Sequence, residues 1–405
     1  MTNNECNRLA FRTPRRYNVS SPHDNMIKRV FPILALSIFC CMLGSGIVVP
    51  LLPLYAEGLG ATGFGLGLIF AAFPISRTLF TPVFGRFSDR GGRKPFIVVG
   101  LLTYAIISPV FVWANTVPLL VLTRLLHGVS GSMILPITQA YVGDISPEGE
   151  EGKWMGYANA AFFSGFGIGP LMGGVVAEHL GMDIAFFAMG GLSMLAFFIA
   201  AFFLPEVGSH KSAERIRLSF KEMGRSRTMT GLVSFRLALT LGRAAFFTFL
   251  PVFAALKLGL RSNLIGVLVA VYMLLSSLLG IPWGRMADRF HRRPLVVAGC
   301  LVSFAYLALV PPADSFGQLL ALCVLGSLGG AISIPAASAI VVTEGRKYGM
   351  GSAMAVFNVA ISIGMAVGPI LSGVIADFVG IDAVFYFGAA VSLVAAGLFL
   401  WFTRS

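Results

Sequence analysis

Four arginines, Arg77, Arg124, Arg236 and Arg243, stand inside long apolar runs of this chain. Placing a guanidinium in a hydrocarbon layer costs about 2.5–3.5 kcal/mol unless it faces a wet cavity or a partner. Arg236 lies near the end of its run, where the long stem lets the charge reach the interface. Arg77, Arg124 and Arg243 are deeper, which leaves two readings: they line a cavity, or they bond to helix carbonyls within the protein. His127 follows Arg124 by one turn on the same helix face, and imidazole titrates in the physiological range, so it is either a packing residue or a step in a proton relay. All eighteen Asp and Glu fall in loops, tails or helix ends. A cavity with cations and no acids favours anionic, zwitterionic or neutral amphiphilic cargo.

The elements that must position these residues are membrane helices. With 56% hydrophobic residues, 12% charged residues and a mean hydropathy of +0.83, no water-soluble fold hides this much apolar surface. About 20 helical residues cross a hydrocarbon core, and twelve runs reach that length. They lie near 31–55, 64–84, 96–115, 118–143, 154–178, 184–204, 229–255, 264–284, 295–311, 317–342, 352–376 and 383–402. Gly85 to Pro95 and Gly284 to Pro294 are near copies, 199 positions apart, and the same offset pairs Asn159 with Asn358, Gly169-Pro170 with Gly368-Pro369, and Asp183 with Asp382. An offset kept without a gap marks a duplication, so the predicted fold is an all-α membrane protein of two pseudo-symmetric six-helix bundles, with function between them.

Lys and Arg set the orientation. Segments 1–30, 85–95, 144–153, 205–228, 285–294, 344–350 and the C-terminal tail hold 24 of the 30, against Lys257 and Arg261 on the other face. This bias predicts cytoplasmic N- and C-termini in the cell (inner) membrane. It also accounts for the net charge of +12 without nucleic acid, because the cations sit in short loops at membrane edges. The expected organisation is a cytoplasmic tail over 1–30, a first bundle over 31–204, a linker over 205–228 and a second bundle over 229–405. No removable signal peptide is expected, and 212–223 has the makings of an amphipathic surface helix. The five cysteines have no paired spacing and suggest neither disulfides nor a metal site.

Several motifs resemble the major facilitator superfamily. Gly85, Asp89, Arg90, Gly92, Arg93 and Lys94 are similar to its motif A. Leu43-Gly44 followed by Pro50 and Pro53, the run Arg124 to Gly131, and Gly165-x-x-x-Gly169-Pro170-x-x-Gly173-Gly174 resemble motifs of its twelve-helix drug/proton antiporters. The resemblance implies alternating access, and the export direction comes from it alone. It also implies a cavity lined by helices 1, 4, 7 and 10, on which Met42, Ile47, Met133 and Ser333 fall. Phe246, near Arg243, is the aromatic candidate for the cargo site. Two departures stand out: no acid lies mid-membrane, and His127 stands where the family often has Gln.

Each motif has a physical reading. Asp89 is placed to meet the positive N-terminal end of helix 11 near Gly351, and Asp288 the start of helix 5 at Lys153. With Gly85, Arg90, Arg93, Gly284, Arg289 and Arg292, these form an expected conformational latch; the plainer alternative is a tight turn with basic anchors. Gly165, Gly169 and Gly173, with Gly368 in the copy, allow close helix approach, and Pro50, Pro53, Pro170 and Pro369 allow bending. The expected function is proton-coupled efflux of a small amphiphilic or drug-like compound. A facilitator or symporter of an organic anion is the alternative. An enzyme is disfavoured, no cofactor or metal is expected, and a monomer suffices.

Overall fold

A backbone in hydrocarbon must satisfy its own N–H and C=O groups, and with apolar side chains throughout this chain does so as helices. The computed structural model describes residues 22–147, 150–206, 226–348 and 350–403. Among them are twelve helices long and apolar enough to span a membrane. They are α1 (Pro22–Val48, continued as Leu51–Gly58), α2 (Gly63–Gly91), α3 (Lys94–Ile107, continued as Val110–Trp113), α4 (Val117–Ile145), α5 (Glu151–Leu180) and α6 (Met182–Phe203). The second set is α7 (Arg227–Leu258), α8 (Ser262–Arg289), α9 (Arg292–Leu309), α10 (Phe316–Tyr348), α11 (Met350–Val379) and α12 (Ile381–Thr403). The breaks in α1 and α3 fall at Pro50 and Pro109, which lack the amide a continuous ladder needs. By contrast, α5 and α11 run unbroken through Pro170 and Pro369. The possible surface helix over 212–223 lies outside the described residues.

The helices are longer at the basic end than the apolar runs predict. Gly85 to Gly91 is the last part of α2 and Arg285 to Arg289 that of α8, so the motif expected as a loop is mostly helix. Charged residues keep good helix propensity in water, so a helix continues where its hydropathy ends. The first turn itself is short: Gly92, at φ +87°, takes a conformation that only glycine adopts easily.

Packing follows the duplication. Within the first bundle α1 packs on α5 and α6, α2 on α4, and α3 on α4 and α6; the matching pairs in the second are α7 with α11 and α12, α8 with α10, and α9 with α10 and α12. The bundles meet through α5 against α8 and α11 against α2, again a symmetric pair. Lipid gives helices no hydrophobic drive to associate, so close contact of small residues must do it. A β-carbon at Gly169 would lie 2.6 Å from the backbone of Gly46, and one at Gly165 would lie 2.5 Å from the Phe39 carbonyl, so α1 and α5 touch backbone to backbone. One continuous apolar core joins the bundles at the end far from the basic loops. At the basic end the second bundle has its own core, around Leu232, Phe235, Val296, Ala336 and Phe399. Among the described residues the bundles share a core at the far end and keep separate cores at the basic end.

Replacing Gly169 by Ala is expected to destabilise the protein by about 1–3 kcal/mol through overpacking. The same change at Gly191, where nothing approaches within 4 Å, is expected to be neutral. Thermal unfolding of the two purified variants checks the contrast.

Candidate functional site

The far-end junction rests on two carboxylates. Asp377, in the last turn of α11, accepts hydrogen bonds from the amides of Gly63 (2.5 Å) and Phe64 (2.8 Å) at the start of α2. The N-cap Thr62 takes the next amide, Gly65, at 3.1 Å. The first amides of a helix have no partner in their own helix and carry its positive dipole end, so a carboxylate there gains both hydrogen bonds and charge. Glu178, in the last turn of α5, does the same to α8: it accepts from the Asn263 amide at 3.3 Å and lies 3.4 Å from Arg261 Nη1. Asp377 and Glu178 are themselves 199 positions apart, and so are Phe64 and Asn263. Each bundle thus caps a helix of the other. The sequence places both acids on the outer side, but their partners are backbone amides, which leave no mark in a sequence. The shared offset is the signal that finds them.

At the basic end the motif residues brace each bundle internally. Arg93 bonds Asp89, reaches Asp144 Oδ2 of α4 at 2.9 Å and Ser88 Oγ at 3.0 Å. Burial works against the Arg93 charge, but the Asp144 and Asp89 carboxylates outweigh it and raise its pKa above the ordinary value. The copy, Arg292, bonds the Ala339 carbonyl (3.1 Å) and Thr343 Oγ1 (2.9 Å) of α10, and Thr343 is the 199-offset partner of Asp144. Asp89 meets Arg93 here, and the side chains at the start of α11, its expected partner, lie outside the described residues. Among the described residues nothing lies within 4 Å of a β-carbon at Gly85, and one at Gly284 would meet the Pro335 side chain. Arg90 is exposed. The side chains of Asp288, Arg289 and Gly351 lie outside the described residues. Lys153, the expected neighbour of Asp288, bonds Glu150 at 3.0 Å, and that bond holds the Glu150 carboxyl below its usual range.

The half-buried intramembrane cations gather on aromatic faces. Arg124 lies 4.9 Å from the Phe73 ring centre and 5.8 Å from that of Phe70, and its Nε is 3.4 Å from the Ile69 carbonyl. Arg77 is 5.8 Å from the same Phe73 ring, so two guanidinium groups share one face-bearing residue. In the second bundle Arg243 lies 5.7 Å from Tyr272, the 199-offset partner of Phe73. Arg236 lies 5.2 Å from Phe357, and its Nε is buried without a hydrogen-bond partner. No carboxylate among the described residues lies within ion-pair distance of these four arginines. For Arg124 the Ile69 carbonyl contact fits the helix-carbonyl reading, and ring faces return only about 0.5–2 kcal/mol each.

His127 and Arg124 both neighbour Phe73, His127 edge-on at 6.3 Å, but their closest partners differ. Arg124 turns to α2, whereas His127 is fully buried and stacks on Tyr104 of α3 at 3.7 Å. Its Nε2 is 3.3 Å from Ser108 Oγ, whose own hydrogen goes to the Tyr104 carbonyl at 2.7 Å. Nε2 therefore carries the imidazole hydrogen, and Nδ1 is left buried without a partner. Four of the five cargo candidates are also interior. Ile47 backs onto Gly173, Met133 onto Gly100 and Ser333 onto Gly299, and Phe246 is packed among Tyr272, Tyr306 and Phe385. Glycines on neighbouring helices make room for Met133 and Ser333, the Ile47 backbone lies against Gly173, and aromatic rings enclose Phe246. Met42 is half-buried.

A model described as "Major Facilitator Superfamily" matches residues 34–261 and 236–405. The chain belongs to the major facilitator superfamily. Within it, Multidrug resistance protein 2 of Bacillus subtilis is 30% identical over 388 residues, covering 92% of this chain and 95% of that one. Quinolone resistance protein NorA of Staphylococcus aureus is 28% identical over 373 residues, covering 91% and 95%. The same fold occurs in a bacterial homolog of the human lysosomal transporter Spinster, in an inward-facing and occupied conformation, with a TM-score of 0.80 at 13% identity over 93% of this chain and 97% of that one. The family and fold are those of transporters, and the twelve helices make this a multi-pass membrane protein.

Neutralising both far-end carboxylates, Asp377→Asn with Glu178→Gln, removes the charge and one acceptor oxygen from each; at about 1–2 kcal/mol per site the closed far end is expected to shift toward opening by about 30-fold or more. Spin labels at exposed Leu180 and Leu256, in opposite bundles, read the distance. Asp382→Asn is the control, since its Lys257 pair lies within one bundle and no shift is expected.

Proposed function

We propose that this major facilitator transporter exports a small amphiphilic compound in exchange for protons by alternating access. The observation that carries the reading is the asymmetry of the junction: the bundles are clasped at the far end and, among the described residues, keep separate cores at the basic end. That is one of the two states a rocking-bundle exporter needs. The basic end is assigned to the cytoplasm by its Lys and Arg, in the cell membrane, with both termini inside. The moving units are residues 31–204 and 229–405, joined by 205–228, and one chain supplies both. In the other state Asp89 and Asp288 are the candidates to latch the basic end against α11 and α5.

Proton coupling follows from which carboxylates change partners. His127 is sealed in an aromatic box, so we assign the coupling to Asp377 and Glu178. Their far-end neighbours are the Gly63, Phe64 and Asn263 amides with Arg261, and beside them His179, Glu57, Asp183 and the Lys257–Asp382 pair. A carboxyl that takes up an outside proton no longer accepts from an amide as an anion. The clasp then loosens, the far end opens and cargo leaves.

Proteoliposomes carrying a fluorescent amphiphile test this. Uphill movement driven by an imposed proton gradient is expected in the wild type, with Asp377→Asn and Glu178→Gln together equilibrating the compound without regard to the gradient. Equilibration independent of the gradient in the wild type would instead support a facilitator of an organic anion, the reading that the unpaired arginines favour.

A further inference from the structure

Just on the basic side of the Asp377 clasp, α2 and α11 diverge. They leave an apolar cleft of about 190 Å³, lined on one wall by Pro74, Thr78 and Leu79 and on the other by Ser362, Ile363 and Ala366. Leu79 and Ile363 are exposed at its mouth, toward the hydrocarbon. Arg77 does not line the cleft itself; it follows Pro74 by three residues on α2, and its side chain runs past Gly131 of α4 to the Phe73 ring. Arg77 in turn shares Phe73 with Arg124. Ring faces leave both cations without a counter-charge, at a depth where a counter-charge is worth most.

We propose that Arg77 and Arg124 hold the anionic head of an amphiphilic cargo, whose alkyl portion enters from the bilayer through the cleft between α2 and α11. The assignment rests on the transporter reading above and gives it a substrate class: a carboxylate, sulfonate or phosphate ester on an apolar chain. The fork geometry of a guanidinium suits such oxyanions, and two forks around one ring offer more donors than one head group uses. A cationic cargo would meet two like charges and, among the described intramembrane residues, no carboxylate. The cleft's walls belong to different bundles, so closing the basic end narrows it and commits the occupant. Arg243 on Tyr272 provides a cation at the pseudo-symmetric aromatic position of the second bundle.

The test uses the full chain in nanodiscs of neutral phosphatidylcholine, with dansyl-undecanoate as probe and the matching dansyl-undecyl-trimethylammonium as its cationic twin. The anion is expected to bind at least tenfold more tightly than the cation. Arg77→Ala and Arg124→Ala should each lose about tenfold for the anion, and Arg124→Lys should restore most of it. Ala366→Phe, which fills the cleft, should weaken the undecanoate while leaving a dansyl glycine probe unchanged. In liposomes of the same lipid the anion should cross the membrane. Tighter binding of the cation, wild-type anion affinity in both Ala variants, or an anion that binds but never crosses, as a resident lipid would, overturns the assignment. Label distances across the far end, which report alternating access with no cargo present, separate that outcome from failure of the transporter reading.

Discussion

Two negative side chains capping two helix N-termini hold the molecule in its observed state. At the first turn of α2 and of α8, amides that have no partner in their own helix find one in the opposite bundle, on Asp377 and Glu178. Such amides have no acceptor in their own helix, so at this exposed rim they take one from water or from a neighbouring group. The clasp supplies it and adds the attraction of a carboxylate for the helix dipole. Around it the backbones are too close for side chains: a β-carbon at Gly63 would lie 2.5 Å from the Gly373 carbonyl, and one at Gly174 would lie 2.5 Å from that of Ser262. Polar and steric fit therefore coincide, and the junction is made or broken as a unit.

The two halves repeat this mechanics but not the chemistry. Arg93 to Asp144 and Arg292 to Thr343 brace the same helices, and Phe73 and Tyr272 occupy the same place. Yet the guanidinium groups on the aromatic come from α2 and α4 in the first bundle and from α7 in the second. Where the first bundle has His127 the second has Gly326, and a β-carbon there would lie 2.9 Å from both Tyr272 and Tyr306. Two tyrosines fill the space that histidine takes in the copy. A shared frame with unlike contents lets the bundles rock about a symmetric junction while cargo meets an asymmetric surface.

The spans, the duplication and the family were readable from the sequence because each rests on a long-range regularity: apolar length, a constant offset, and motif spacing. The features that were not readable depend on direction. Placing Ile47, Met133, Ser333 and Phe246 on cavity-lining helices named the helix but not the face, and all four face inward to their own bundles. Arg124 and His127 share a spacing but diverge, one to α2 and one to α3. The basic-end motif reads as a loop by hydropathy, although Asp89 and Arg90 are still helical. The clasp escaped because half of each contact is backbone. What the sequence did carry was the pairing of Glu178 with Asp377, since the duplication that relates the halves also relates their ends.

The central claim is that the two far-end clasps open together. Hydrogen exchange resolved to the amides of Gly63, Phe64 and Asn263 tests it in the wild type and in Asp377→Asn alone. The account predicts that all three amides, though in the first turn of a helix, exchange as slowly as interior helix amides in the wild type. It also predicts that all three lose protection in the variant, including Asn263, which Asp377 does not touch. Unprotected amides in the wild type, or a loss confined to Gly63 and Phe64, would contradict it.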